Sequence, residues 1–397
     1  MQIVSLPLLR ARIAITTAFS VAPIMVPYLS GIGLSQFQIG MSQATFMLAA
    51  FCFDIPAGWL ADKTSRKSCV VVADIVMALC FLAYTQVDSF LDVLLLEALL
   101  GIGVSLISGS DDGLVAAYCQ RLRRDMSKEL ILHHQLAAVS AAVLLAMGGF
   151  VAANFGYTWA FIFGAGPYVF GAIVTALLKD IAPPKVTFSD KRDIKTALRE
   201  MASIVRLVMV NQQLRWAVLA GATSIQMCRT LFIVQTPLLL LVGVPLEVVG
   251  VMWAAQQGAV LIGTTLAKRY VFQWHIQRLF VMPMFLSLAS MALLAVTVTW
   301  WTIGLYGLIA IAGGWSSAVA RPIFNTQVPA QDIMSTAASV RTSVYMIFYI
   351  VGVLVVGLGG NFGVQWALLA NVVLFLPFAV LCAKYLPAKF VPQGAQV

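Results

Sequence analysis

The chain has 397 residues, 61% of them hydrophobic and only 10% charged, with a formal net charge of +9. A soluble domain carries roughly 25% charged residues, so this composition excludes a water-soluble globular protein. Its cations sit between apolar runs, so the charge surplus points to a bilayer surface and not to nucleic acid.

In chain order, twelve runs are predicted to cross a membrane, at approximately 11–31, 37–60, 69–87, 91–118, 131–153, 158–178, 214–242, 247–267, 279–298, 301–323, 337–359 and 364–386. Each is near the ~20 residues that cross hydrocarbon as a helix. The runs are continuously apolar, whereas barrel strands alternate over about ten residues. The expectation is therefore an all-α integral membrane protein. No small-residue cleavage site follows Arg10 and Arg12, so no cleavable signal is expected. The six cysteines contain no C-x-x-C pair, which indicates neither a zinc site nor a disulfide framework, and no metal is expected.

Orientation follows from the cations. Arg10 and Arg12 precede run 1, Lys63, Arg66 and Lys67 follow run 2, and further clusters follow runs 4, 6, 8 and 12. Together these are 22 of the 25 Lys and Arg residues, all on one side. The other three, Arg229, Arg321 and Arg341, fall within or at the ends of runs. Both termini are expected to be cytoplasmic.

The connection 179–213 is long and carries Pro183-Pro184, mixed charges and an expected surface helix over 193–210. It divides the chain into a bundle of six helices (1–178), a cytoplasmic linker (179–213) and a second such bundle (214–397). The halves echo each other. Asn154-Phe155-Gly156-Tyr157-Thr158-Trp159-Ala160 recurs 207 residues later as Asn361-Phe362-Gly363-Val364-Gln365-Trp366-Ala367. Leu34 to Gly40 has a looser echo in Val244 to Gly250. Duplication of a six-helix unit is a transporter architecture.

Between runs 2 and 3 stands Gly58-Trp59-Leu60-Ala61-Asp62-Lys63-Thr64-Ser65-Arg66-Lys67. It resembles the signature of the major facilitator superfamily, G-x-L-A-D-[RK]-x-G-R-[RK], in the place where that family carries it. The topology and the duplication extend the resemblance over the whole chain. The resemblance implies two pseudo-symmetric six-helix bundles and a gate made by Gly58, Asp62, Lys63, Arg66 and Lys67. In the family the Asp contacts the second half in one state and releases it in the other. Gly58 is expected to let its helix pack closely on a neighbour. Arg66 and Lys67 are expected to pair with Asp111 and Asp112 at the end of helix 4. Anchoring by the positive-inside rule is the plain alternative, and it needs neither Gly58 nor Asp62.

The sequence departs from the pattern in places. Ser65 replaces a glycine, at a cost of ~1 kcal/mol if that position needs a positive φ. Glu97 stands where helix 4 normally carries an Arg, and of G-P-x-x-G-G in helix 5 only Gly148-Gly149 remains. Asp54-Ile55-Pro56-Ala57-Gly58, Ser108 to Gly113 and Arg321-Pro322 resemble a bacterial, efflux-like branch of the superfamily.

Ionisable groups inside spans are functional candidates. In the family, helices 1, 4, 7 and 10 line the cavity. The proton-coupling candidates are Glu97, Asp54 and Asp112. Arg229, Glu97, Gln226, Arg321, Tyr28 and Trp315 are the substrate-cavity candidates. Arg229 suits an anionic group on the substrate, with a salt bridge to Glu97 as the plain alternative. Asp54, Arg341, Asp111 and Asp112 are candidates for a cytoplasmic latch, with Asp54 paired to Arg341. Asp74, on an outer helix, is expected to be structural.

The expected function is secondary active transport by alternating access, as proton-coupled efflux of a small organic molecule, a drug or metabolite and anionic on one reading. Import of a small solute is the alternative, followed by a non-transporting sensor. No nucleotide-binding P-loop and no catalytic constellation is visible, so an enzyme is not expected. Energy would come from a proton gradient without a cofactor. The expected partners are a small-molecule substrate, protons and the lipid bilayer, with no nucleic acid and a monomeric state. The expected location is the inner membrane.

Overall fold

A computed structural model describes residues 6–16, 19–180, 205–206, 208–270, 274–327 and 334–387. Most of the surface helix expected over 193–210 lies outside the described residues, as do the side chains of Asp62, Lys63 and Asp112.

Fourteen α-helices are described. They are α1 (Leu6–Thr16), α2 (Ala22–Gly31), α3 (Gln36–Lys63), α4 (Arg66–Ala83), α5 (Phe90–Leu122), α6 (Met126–Phe155), α7 (Tyr157–Leu177), α8 (Gln212–Arg229), α9 (Phe232–Leu241), α10 (Leu246–Tyr270), α11 (Ile276–Val296), α12 (Ile303–Gln327), α13 (Met334–Gly360) and α14 (Val364–Tyr385). A single 3₁₀ turn, Tyr84–Gln86, follows α4. The fold is all-α, and the helices follow the twelve expected spans with one correction. Spans 1 and 7 were expected to be continuous, and each is divided in two, as α1–α2 and α8–α9.

Neighbouring helices stabilise the break at Thr230 and Leu231. Asn371 Nδ2 of α14 donates to the Met227 carbonyl at 3.2 Å and to Thr230 Oγ1 at 2.8 Å. Tyr306 of α12 donates its hydroxyl to the Leu231 carbonyl at 3.2 Å. A broken helix persists in hydrocarbon only where its freed backbone groups find such partners. At the other break, a Cβ on Gly148 of α6 would collide with the Ser20 carbonyl. The glycine pair left from the helix 5 motif is thus a close crossing, and Gly149 backs onto Gly250 of α10.

Local chemistry sets the helix ends. Ser35 caps α3 in a capping box, accepting from Gln38 N at 3.3 Å while Gln38 Oε1 accepts from Ser35 N at 2.9 Å. Ser89 and Asp92 repeat the device on α5. Such boxes satisfy amide groups that a helix start leaves unpaired. Among the described residues, four glycines have positive φ, Gly33, Gly156, Gly243 and Gly363. They fall at matching points of the two repeats, in the turns before α3 and α10 and before α7 and α14. A side chain at such a φ is strained, which explains why the duplicated turns keep their glycines.

Contacts group the chain into two compact units, residues 1–188 with 243–255 and residues 189–242 with 256–397. In the first, α5 packs on α3 and α4, and α4 packs on α7. One cluster of its core joins Leu6, Leu9, Val115, Tyr118, Cys119 and Leu178. In the second, α8 packs on α12 and α13, and α11 packs on α12 and α14. A cluster there joins Val208, Leu214, Val218, Phe324, Ala337 and Val340.

Candidate functional site

The first unit holds two buried polar centres. In one, Arg12 of α1, Asp74 of α4 and Asp111 of α5 form an ionic triad. Arg12 and Asp74 are both 0% exposed. Arg12 Nη2 donates to Asp74 Oδ1 at 3.0 Å and to Oδ2 at 3.2 Å, and Nε reaches Oδ2 at 3.4 Å. Arg12 Nη1 pairs with Asp111 Oδ1. Gly171 of α7 makes room, since a Cβ there would lie 2.9 Å from Asp74 Oδ2. Burying one such charge alone is prohibitive, and the mutual pairing makes the triad tolerable.

This overturns one sequence expectation and refines two others. Arg12 was counted among the anchoring cations at the membrane surface, and it is instead a buried partner that ties three helices. Asp111, a latch candidate, is held by Arg12. Asp74 does take the structural place expected of it, with Arg12 as its partner. Arg12 was missed because it lies six residues after the start of α1 and near Arg10, where a cation is ordinary. Arg10 does behave as a surface cation. It meets Glu129 of α6 through Nε at 2.9 Å. That bond holds the Glu129 carboxyl below its usual range.

The second centre surrounds Glu97 of α5, which is 3% exposed. Tyr84 donates its hydroxyl to Glu97 Oε1 at 3.0 Å, and Gln43 Nε2 of α3 donates to the same oxygen at 3.3 Å. Tyr28 of α2 donates to the Tyr84 carbonyl at 2.5 Å. The Tyr84 ring stacks on Phe161 of α7, with centroids 5.2 Å apart. Among the described residues, Glu97 thus accepts from the neutral donors Tyr84 and Gln43 in an aromatic surround. Gln43 and Tyr84 were invisible in the sequence, because their spacing to Glu97 is set by helix packing.

The gating stretch is described at Gly58, Ser65 and Lys67. A Cβ on Gly58 would meet nothing within 4 Å among the described residues. Ser65 has φ −162°, an extended conformation open to any residue, and it caps α4 by accepting from Ser68 N at 3.3 Å. The missing glycine therefore carries no strain, and Ser65 also donates to Asp180 Oδ2 at 2.6 Å. Lys67 donates to the Ala176 carbonyl at 2.8 Å. Asp54 shares a side-chain hydrogen bond with Ser108 of α5.

In the second unit, Arg229 is exposed at the last residue of α8, where a cation suits the negative end of the helix dipole. Gln226, one turn earlier, is buried, and its Oε1 has no hydrogen-bond partner among the described residues. Arg321 is exposed on α12. Trp315 donates its indole N–H to the Leu279 carbonyl at 2.9 Å and packs beside Trp274 and Tyr270. That engagement makes it a helix-packing residue. Arg341 lies over the rings of Phe324 and Tyr345, with its guanidinium carbon 5.0 and 5.8 Å from their centroids.

Comparison with known proteins gives a consistent picture. The profile of the Major Facilitator Superfamily matches residues 11–332. Among solved structures, a single-site variant of the nucleoside transporter NupG is similar at TM-score 0.79 and 15% identity, covering 95% of this chain and 98% of that one. A bacterial homologue of the human lysosomal transporter Spinster, solved inward-facing and occupied, is similar at TM-score 0.75 and 13% identity, covering 97% of each chain. A D-xylose–proton symporter is similar at TM-score 0.73 and 12% identity, covering 97% and 98%. At these identities the likeness is one of fold. A search of the curated proteins finds no match to the chain.

Proposed function

The chain belongs to the Major Facilitator Superfamily, and from that premise we propose a proton-coupled transporter that exports a small organic molecule by alternating access. The observation that carries the coupling is Glu97. It is a buried carboxyl hydrogen-bonded to the neutral donors Tyr84 and Gln43. An ionisable group held inside a membrane span in this way is a natural member of a proton relay. Export is favoured by the likeness of Asp54 to Gly58, Ser108 to Gly113 and Arg321-Pro322 to an efflux-like branch. Gly58, Asp62, Lys63, Arg66 and Lys67 are assigned to the gate, and Arg229 and Gln226 to the solute path. The membrane is the bacterial inner membrane, and the working unit is the monomer.

The test uses proteoliposomes with an imposed pH gradient and a solute selected by thermal-shift screening. Wild type is expected to move the solute uphill with counter-movement of protons. Glu97→Gln is expected to lose uphill transport and to keep solute counterflow. Uphill transport that survives in Glu97→Gln removes this residue from coupling. Solute flux without proton movement removes proton coupling altogether.

A further inference from the structure

The second unit is unbalanced in charge. From Gln212 to Tyr385 the sequence holds only two acids, Glu247 and Asp332. Glu247 lies in the part of α10 that groups with the first unit, and Asp332 lies outside the described residues. The described helices of the second unit therefore present Arg229, Arg321 and Arg341 with no carboxylate of their own, the acids of the 189–204 stretch lying outside the described residues.

Arg341 is the sharpest case. Its Nε and Nη1 atoms are buried and have no hydrogen-bond partner among the described residues. Its guanidinium lies over the faces of Phe324 and Tyr345, which attract a cation but leave its N–H donors unused. The Tyr345 hydroxyl is also buried without a partner among the described residues. That hydroxyl abuts the α8 backbone at Gly221, where a Cβ would collide with it. The same Cβ would lie 3.2 Å from Ala320 Cβ, so α8, α12 and α13 converge here. Arg321 follows Ala320 on α12, so its backbone lies at this convergence. A guanidinium with buried and unused donors is costly, and an anion that accepts from them would offset that cost.

We propose that Arg341, Tyr345 and Arg321 form a binding site for the carboxylate or phosphate of a small organic anion. This deepens the transporter reading, on which it rests, by naming the class of solute. Arg341 supplies charge-assisted donors, Tyr345 supplies a neutral donor, and the exposed Arg321 supplies attraction at the entrance.

The test is thermal stability of the purified full chain in detergent, titrated with benzoate, phenyl phosphate and the neutral analogue benzamide. Benzoate or phenyl phosphate is expected to raise the Tm saturably, and benzamide to leave it unchanged. Which anion acts decides between carboxylate and phosphate. Arg341→Gln is expected to weaken the anion roughly tenfold or more, about 1.4 kcal/mol. Arg321→Gln, at an exposed position, is expected to weaken it while keeping the fold, so the idea stays testable if Arg341→Gln does not fold. The proposal is overturned if neither anion gives a saturable shift, or if the shift is unchanged in both variants. It is also overturned if Asp54→Asn or Asp332→Asn lowers the Tm as Arg341→Gln does while no anion stabilises wild type. In that case the counter-ion is an acid of this chain. Binding needs no transport, so its failure leaves the transporter reading intact. Absence of flux with intact binding would overturn that reading instead.

Discussion

Arg12 and Asp74 are both fully buried and face each other at 3.0 Å, with Asp111 closing the group from a third helix. Two carboxylates share one guanidinium, so the three members are unequal. Loss of Arg12 leaves the buried Asp74 without its guanidinium and the half-buried Asp111 without its partner. Loss of Asp74 leaves Arg12 with Asp111.

Arg12→Gln is therefore expected to destabilise by about 3–5 kcal/mol, the usual cost of breaking a buried ion pair. Asp74→Asn is expected to cost less. Chemical unfolding in detergent measures both. A change within about 0.5 kcal/mol for Arg12→Gln, as at an ordinary surface site, would falsify the triad.

The pair between Arg10 and Glu129 responds to pH. The folded state holds the Glu129 carboxyl below its ordinary range, chiefly through the Arg10 hydrogen bond. A lowered folded pKa adds stability that is present above the unfolded value and is lost as pH falls through the folded one. Wild type should thus exceed Arg10→Gln in stability at neutral pH by less than about 1 kcal/mol, as for a partly solvated pair. The gap should close in acid. Unfolding midpoints of the two proteins across pH measure it, and a gap that widens in acid contradicts the pairing.

Two glycines should behave oppositely. A Cβ at Gly171 would crowd Thr16 and Asp74, and one at Gly58 would meet nothing among the described residues. Gly171→Ala is expected to destabilise by about 1–3 kcal/mol, as overpacking does. Gly58→Ala should leave stability within about 0.5 kcal/mol. If Gly58→Ala then slows solute flux with unchanged stability, the glycine acts in gating and not in folding. Equal and large losses of stability in both variants would contradict the packing described here.

The sites were legible in part. Glu97 stood out because an acid in an apolar run is conspicuous at any position. Its partners Gln43 and Tyr84 lie 54 and 13 residues away, and no local pattern couples them to it. Arg12 was hidden for the opposite reason, since a cation at the head of a span is what membrane insertion already requires. The breaks in spans 1 and 7 were hidden because a window of mean hydropathy does not register the loss of one or two hydrogen bonds. The turns at Gly156 and Gly363 were legible as a repeat. Their positive φ came only with the backbone.

The sequence by itself determined that the chain is a set of membrane helices in two related halves with the superfamily's loop after the second. Those features depend on run length, loop charge and repetition, all of which are local. Only the tertiary structure decided which charges meet. It placed Arg12 between Asp74 and Asp111, surrounded Glu97 with neutral donors, and left the buried donors of Arg341 unused among the described residues. The physical reason is burial, because a charge in hydrocarbon takes its meaning from whatever side chains packing brings within a few ångströms.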